Sequence, residues 1–212
     1  MIYKILRFVS KKMNYQAKIE KEKIVDLPIA RTDCEIVVIE NPQAVNDAVK
    51  ELYLSAVVGF DTETKPSFLR GKINKIALLQ LSTEKKCFLF RLQKIGKNDA
   101  LKHFLESTNI LKIGVSVKDD FRMLNRWQKV KPQNFIELQT FVKDYGIEEM
   151  GLQKIFAIIF KQKISKREQL SNWEADILGN AQKMYAATDA WACRQIYLKL
   201  TEKIYDFFCD VQ

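Results

Sequence analysis

Asp61 and Glu63 close an apolar run, AVVGFDTE, with a single residue between them. On a strand, side chains alternate between faces, so both carboxylates would share one side at roughly 6.5 to 7 Å, given a rise of ~3.3 Å per residue. The run before them has the character of a strand buried on both faces, where an uncompensated pair of charges is costly. Cations are the natural compensation. Tyr185 and Asp189 are four residues apart in a long segment of helical period, hence one above the other, and their line continues through Ala192, Ile196 and Leu200. Asp189 is therefore expected on the packed side. A further acidic pair, Asp119 and Asp120, opens a helix directly after an apolar strand in KIGVSVKDDFRML. Acids at that position complement the helix dipole. Asp120, however, shares the inward line of Val117, Phe121 and Leu124, at the carboxyl end of a strand where α/β proteins place their sites. Asp119 shares its line with Arg122 and Arg126, which suits a solvated face. One carboxylate in an apolar stripe can be a simple hydrogen-bond acceptor. Here it is one of several on three elements, which cations would compensate together.

The histidine and cysteine content narrows the chemistry further. His103 is the only histidine and lies in a segment, Asp99 to Ser107, that reads as a helix, so it cannot anchor a multi-histidine metal site. Cys34, Cys87, Cys193 and Cys209 form no CxxC pair and are expected to serve as small apolar residues. Histidine triads and zinc hydrolases are thereby disfavoured, and carboxylates must carry the chemistry. A formal net charge of +9 and a pI near 9.3 suit a nucleic-acid partner. The basic clusters are Lys72 with Lys75, Lys129 with Lys131, and Lys161, Lys163, Lys166 and Arg167, each of which equally suits a solvated face. With 47% hydrophobic residues the chain can build a sizeable core. No apolar run reaches the ~18 to 20 residues of a membrane span. The opening Met1 to Lys12 has too short an apolar stretch for a secretory signal, so a cytoplasmic location is expected, with Met13 a candidate start.

This chemistry needs a frame that brings a strand and two helices together. EIVVIE (Glu35 to Glu40) reads as a short strand and Pro42 to Leu54 as an amphipathic helix. Ala56 to Thr62, Lys75 to Ser82 and Lys86 to Phe90 follow as strands with short links, which suggests an antiparallel meander. From Asp99 the pattern alternates: a helix to Ser107, a strand over Ile110 to Val115, a helix over Val117 to about Trp127 and a short strand over Phe135 to Leu138. Such alternation implies parallel additions to the sheet. Gly151 to Phe160 reads as a helix, Lys161 to Trp173 as a basic connection, and Ala181 to about Phe208 as a long closing helix.

With these residues in place, the chain resembles the DEDD superfamily of 3′→5′ exonucleases in its tyrosine subgroup, the group of ribonuclease D and the Werner-syndrome exonuclease domain. FDTETKPSF (Phe60 to Phe68) resembles the first motif, IGVSVKDDFRML the second, and QKMYAATDAWA (Gln182 to Ala192) the third in its Tyr-x3-Asp form; SNW (Ser171 to Trp173) is familiar from the same group. The resemblance covers roughly Glu35 to Leu200. It implies an α/β, ribonuclease H-like fold: a five-stranded mixed sheet, three strands antiparallel and two parallel, with helices on both faces. The domain expectation is an N-terminal extension over 1–34, an exonuclease domain over 35–208 and a tail over 209–212.

The resemblance also implies roles. Asp61, Glu63, Asp120 and Asp189 would hold two divalent ions, Mg²⁺ or Mn²⁺, and Tyr185 would orient or deprotonate the attacking water. The activity implied is hydrolysis of a nucleic-acid strand from its 3′ end with release of nucleoside monophosphates. The alternative is a non-catalytic nucleic-acid-binding module or scaffold of the same fold, against which the complete set of acids argues. Thr62, Lys65, Lys163, Lys166 and Arg167 are candidates for contacts to the strand, and Trp173 for stacking on a base, although a tryptophan in SNWE also suits a core anchor. Metal chemistry on a phosphodiester is indifferent to the sugar, so DNA and RNA are not distinguished.

Overall fold

The structure, a computed structural model, describes residues 15–66 and 74–209, with side chains up to residue 202. Met13, the end of the first motif at Ser67 and Phe68, and Lys72 lie outside the described residues. Six strands form one mixed sheet: β1 (Glu35–Ile39), β2 (Val57–Thr64), β3 (Ile76–Ser82), β4 (Lys86–Arg91), β5 (Leu111–Gly114) and β6 (Phe135–Glu137), in the order β1-β4-β3-β2-β5-β6. β2, β3 and β4 are the antiparallel meander, while β5 and β6 add in parallel beyond β2. The count corrects the expected five. The Glu35 strand pairs in parallel with β4 and becomes a sixth member, because every residue of β3 is buried and the apolar β4 beside it would otherwise expose its outer edge.

The helices are α1 (Lys21–Val25), α2 (Pro42–Leu52), α3 (Leu92–Ile95), α4 (Asp99–Glu106), α5 (Val117–Trp127), α6 (Leu138–Phe141), α7 (Leu152–Phe160) and α8 (Asn180–Cys209), with a 3₁₀ turn at Val142–Tyr145. Their starts are encoded locally. Asn41 and Asn98 accept hydrogen bonds from Ala44 N (2.9 Å) and Leu101 N (3.0 Å), capping α2 and α4. α2, α4 and α5 bury Val49, Leu52, Phe104 and Leu124 against one face of the sheet with Val58 and Phe60. α7 and α8 cover the other face. Of the cysteines with described side chains, Cys87 and Cys193 are buried and Cys34 partly so, all unbridged, and His103 is exposed on α4.

Residues 15–34 pack into the α7–α8 layer, where Ile19, Ile24 and Ala30 join Ile155, Phe156 and Ile196. Backbone bonds tie them down: Ile19 N donates to Glu149 Oε1 (3.1 Å), Glu148 N to Ala17 O (2.9 Å) and Ala30 N to Lys163 O (2.9 Å). None of the described helices is long and apolar enough to cross a membrane.

Candidate active site

β2 pairs with β5 only from Val57 to Gly59, so Asp61 and Glu63 run past the end of β5 into the opening at the carboxyl end of the parallel strands. α8 crosses this strand at very short range. A Cβ on Gly59 would stand 1.8 Å from Ala190 O, so only glycine admits the helix, and Arg194 Nε donates to Val57 O (3.1 Å) one turn further on. Asp189, the residue before Ala190, is thereby pressed against the two strand acids. Ligand oxygens of Asp61, Glu63 and Asp189 all lie within 4.8 Å of one another.

Asp120 approaches from the opposite layer. Phe135 meets Phe60 and Phe121 edge to face (centroids 5.1 Å and 4.8 Å), which locks β2, α5 and β6 together. The Thr62 hydroxyl donates to Asp120 Oδ1, and Asp120 lies close enough to Asp61 for its charge to be felt. Its oxygens fall outside the close cluster of the other three acids. Asp119 faces solvent and pairs with Arg122 at 2.7 Å, as its helical line required. Ser116, before α5, has φ 60° and offers no side-chain cap. Glu137 on β6 replaces it, accepting from Ser116 N (3.0 Å) and Val117 N (2.9 Å). That carboxylate, together with Gly59, is the part of the site's support that the sequence reading missed. A glycine inside a strand pattern was a visible signal of close backbone approach; Glu137 carried none.

Confinement makes these acids weak. Burial pushes Asp61 well above the carboxylate range, with Asp189 adding to it. Burial and then the charges of Asp61, Asp189 and Asp120 take Glu63 up to about 10. Asp120 rises to about 8 through burial and Asp61, and Asp189 to about 7 through burial. The Tyr185 phenol lies beside Asp189 and, in the metal-free protein, is pushed up first by burial and then by the surrounding carboxylates. Asp189 Oδ1 is enclosed without a partner among the described residues. Partly buried and buried acceptors of this kind, all oxygen and converging on one point, fit hard divalent cations.

A cavity of about 290 Å³ opens over Asp61, Glu63 and Asp189, lined also by Thr62, Lys166 and Tyr185, while Asp120 lies behind Thr62 and does not line it. A second, of about 390 Å³, adjoins it across Ile164, Ser165 and Tyr185 and is walled by Ile29, Arg31, Arg167 and Met184. The connection before α8 is pinned from beneath: the buried Arg91 donates to Glu40 Oε1 (3.1 Å), to Asp176 O (3.3 Å) and to Ala175 O. Of the candidates for strand contact, Thr62 and Lys166 line the first cavity and Arg167 the second. Lys65 is paired with Glu174 at 3.5 Å, and the Lys163 ammonium donates to Val25 O at the end of α1. Trp173 is a correction. It is fully buried, its ring 5.9 Å from that of Tyr185, so it cannot stack on a base and instead supports the tyrosine from below.

Residues 36–205 match the family model described as 3′-5′ exonuclease. Over 150 residues, 68% of this chain, the sequence is 35% identical to the mouse bifunctional 3′-5′ exonuclease/ATP-dependent helicase WRN, of which that match spans 11%. Ribonuclease D of Xanthomonas oryzae is 27% identical over 169 residues, 78% of this chain and 45% of the relative. The chain thus spans only part of the length of these curated relatives. Among solved structures, the Aedes aegypti Nibbler EXO domain superposes with a TM-score of 0.75 at 19% identity, covering 84% of this chain and 94% of that one. Escherichia coli RNase D does so with 0.72 at 20% identity, covering 82% and 46%. These two likenesses establish the ribonuclease D-type fold.

Proposed function

This chain belongs to the 3′-5′ exonuclease family, and we propose that it hydrolyses phosphodiester bonds of nucleic acid stepwise from the 3′ end, releasing nucleoside monophosphates. The observation that carries this reading is the convergence of Asp61, Glu63 and Asp189 within 4.8 Å around an unpartnered carboxylate oxygen. Asp61, Glu63 and Asp189 would hold one divalent cation, and Asp61 with Asp120 a second, Mg²⁺ or Mn²⁺ being suited to an all-oxygen donor set. When bound, such ions supply Lewis-acid stabilisation of the phosphoryl oxygens and activate water at neutral pH.

The chain's own groups do the rest. Tyr185, which lines the cavity beside Asp189, orients the attacking water or takes its proton. Lys166 at the cavity rim offers a charge to the substrate phosphate. The adjoining cavity, with Ile29 and Met184 as apolar wall and Arg31 and Arg167 at its edge, suits the next nucleotide along the strand. Matched 5′-labelled DNA and RNA strands, incubated with Mg²⁺, Mn²⁺ or EDTA, test the reading and identify the sugar. A ladder descending by single nucleotides with metal only is expected. Binding of both strands with no cleavage under any condition would favour the non-catalytic alternative.

A further inference from the structure

Gln80 is fully buried, and neither its side-chain nitrogen nor its side-chain oxygen has a hydrogen-bond partner among the described residues. It stands on β3 directly opposite Asp61 in the antiparallel register. Residues so paired present their side chains on the same face, with Cβ atoms about 4.5 to 5.5 Å apart. The neighbour on its other side is Leu89 of β4, and the surroundings on this face are Leu78, Cys87 and the alanines of α8. A primary amide with nothing to bond in such a setting destabilises the fold, and an apolar side chain of the same length would avoid the penalty. The polar group nearest in register is the Asp61 carboxylate.

We propose that Gln80 is a positioning residue, whose amide NH₂ donates to the Asp61 carboxylate in the cation-loaded site and fixes which of its oxygens faces the ions. Asp61 is the acid within reach of that amide. It stands directly opposite Gln80, and it interacts with Asp189 on α8 and with Asp120 on α5. A carboxylate that turns a lone pair to a cation keeps others free, and an outer donor on those lone pairs selects one rotamer. The inference rests on the cation-binding reading above.

The test combines a variant with a spectroscopic probe. In EDTA, Gln80→Met, which keeps the length and removes the amide, is expected to melt at or a few degrees above wild type, because an unsatisfied group has left the core. Its half-activating Mn²⁺ concentration rises about 10- to 100-fold, and kcat at saturating metal falls while KM for the strand changes little. In ¹⁵N-labelled wild type, the side-chain amide signals of Gln80, identified by their loss in the variant, shift when Mg²⁺ is added. Wild-type Mn²⁺ dependence and turnover in Gln80→Met overturn the role. So do amide signals that stay still while the protein binds Mg²⁺. Melting well below wild type in EDTA, in both Gln80→Met and Gln80→Leu, overturns it as well, since the amide would then be holding the metal-free fold. A wild type that binds neither cation refutes the cation-binding reading itself, and its titration separates that failure from a failure at Gln80 alone.

Discussion

Replacing Gly59 by alanine should disable the site without altering any group that carries chemistry. The added Cβ would meet Ala190 O at 1.8 Å, Ala190 C at 2.8 Å and Arg194 Cβ at 3.2 Å. A carbon–oxygen contact relaxes only near ~3.3 Å, so strand and helix must part by about 1.5 Å. β2 cannot yield, because at Gly59 it is paired with Ser82 on one side and Ile113 on the other. α8 therefore moves and takes Asp189 and Tyr185 with it, opening a cluster whose ligand oxygens now lie within 4.8 Å. A misplacement of about 1 Å lowers turnover roughly 10²-fold, so kcat should fall by about that factor or more. Overpacking of this kind costs ~1 to 3 kcal/mol, which for a chain of this size lowers the melting temperature by roughly 2 to 12 °C. Single-turnover rates at 25 °C with saturating Mn²⁺, beside calorimetric melting, separate the two effects. Turnover within about twofold of wild type would show that α8 can shift without carrying the acids along, and would refute the geometric argument.

Three further outcomes follow from the same geometry. Asp120→Asn should lower kcat by about 10²-fold or more with the fold retained, whereas Asp119→Asn removes one exposed pair to Arg122 worth ~0.2 to 0.5 kcal/mol and leaves most activity; exchanged phenotypes in a paired rate assay would refute the helical register. Tyr185→Phe should reduce kcat about 10²-fold while Mn²⁺ affinity by calorimetry stays close to wild type; unchanged turnover would make the tyrosine a packing residue. For the metal-free protein, the partly buried Glu63 and Asp120 and the buried Asp189, at about 10, 8 and 7, bind protons more tightly folded than unfolded. Their stability contribution is complete below about pH 4 and is lost as pH rises through those values. Melting in EDTA should accordingly weaken from pH 6 to 9 and the weakening should vanish in saturating Mg²⁺; a metal-free melting temperature that rises over this interval contradicts the assignment.

The acids were legible in the sequence because each sits on an element whose period fixes its direction. Strand alternation placed Asp61 and Glu63 together, and a four-residue step placed Tyr185 over Asp189. The three-residue step from Val117 turned Asp120 inward while Asp119 went out to Arg122. What holds those elements in register was not legible, because it depends on partners distant in the chain. Glu137 caps a helix 20 residues earlier, Arg91 pins a loop more than 80 residues later, and Trp173 is covered by Tyr185 rather than offered to a base. Nor did the mixed charge of the N-terminal region reveal that Ile19, Ile24 and Ala30 complete the core beneath α7 and α8.

A strand labelled on its 3′-terminal nucleotide provides the most direct test that these carboxylates act through divalent cations on a 3′ end. With Mg²⁺ or Mn²⁺, the account predicts that the label leaves first, as a nucleoside 5′-monophosphate, and that neither EDTA-treated enzyme nor Asp61→Asn releases it. Label released last, label released within internal fragments, or release that persists undiminished in EDTA would contradict it.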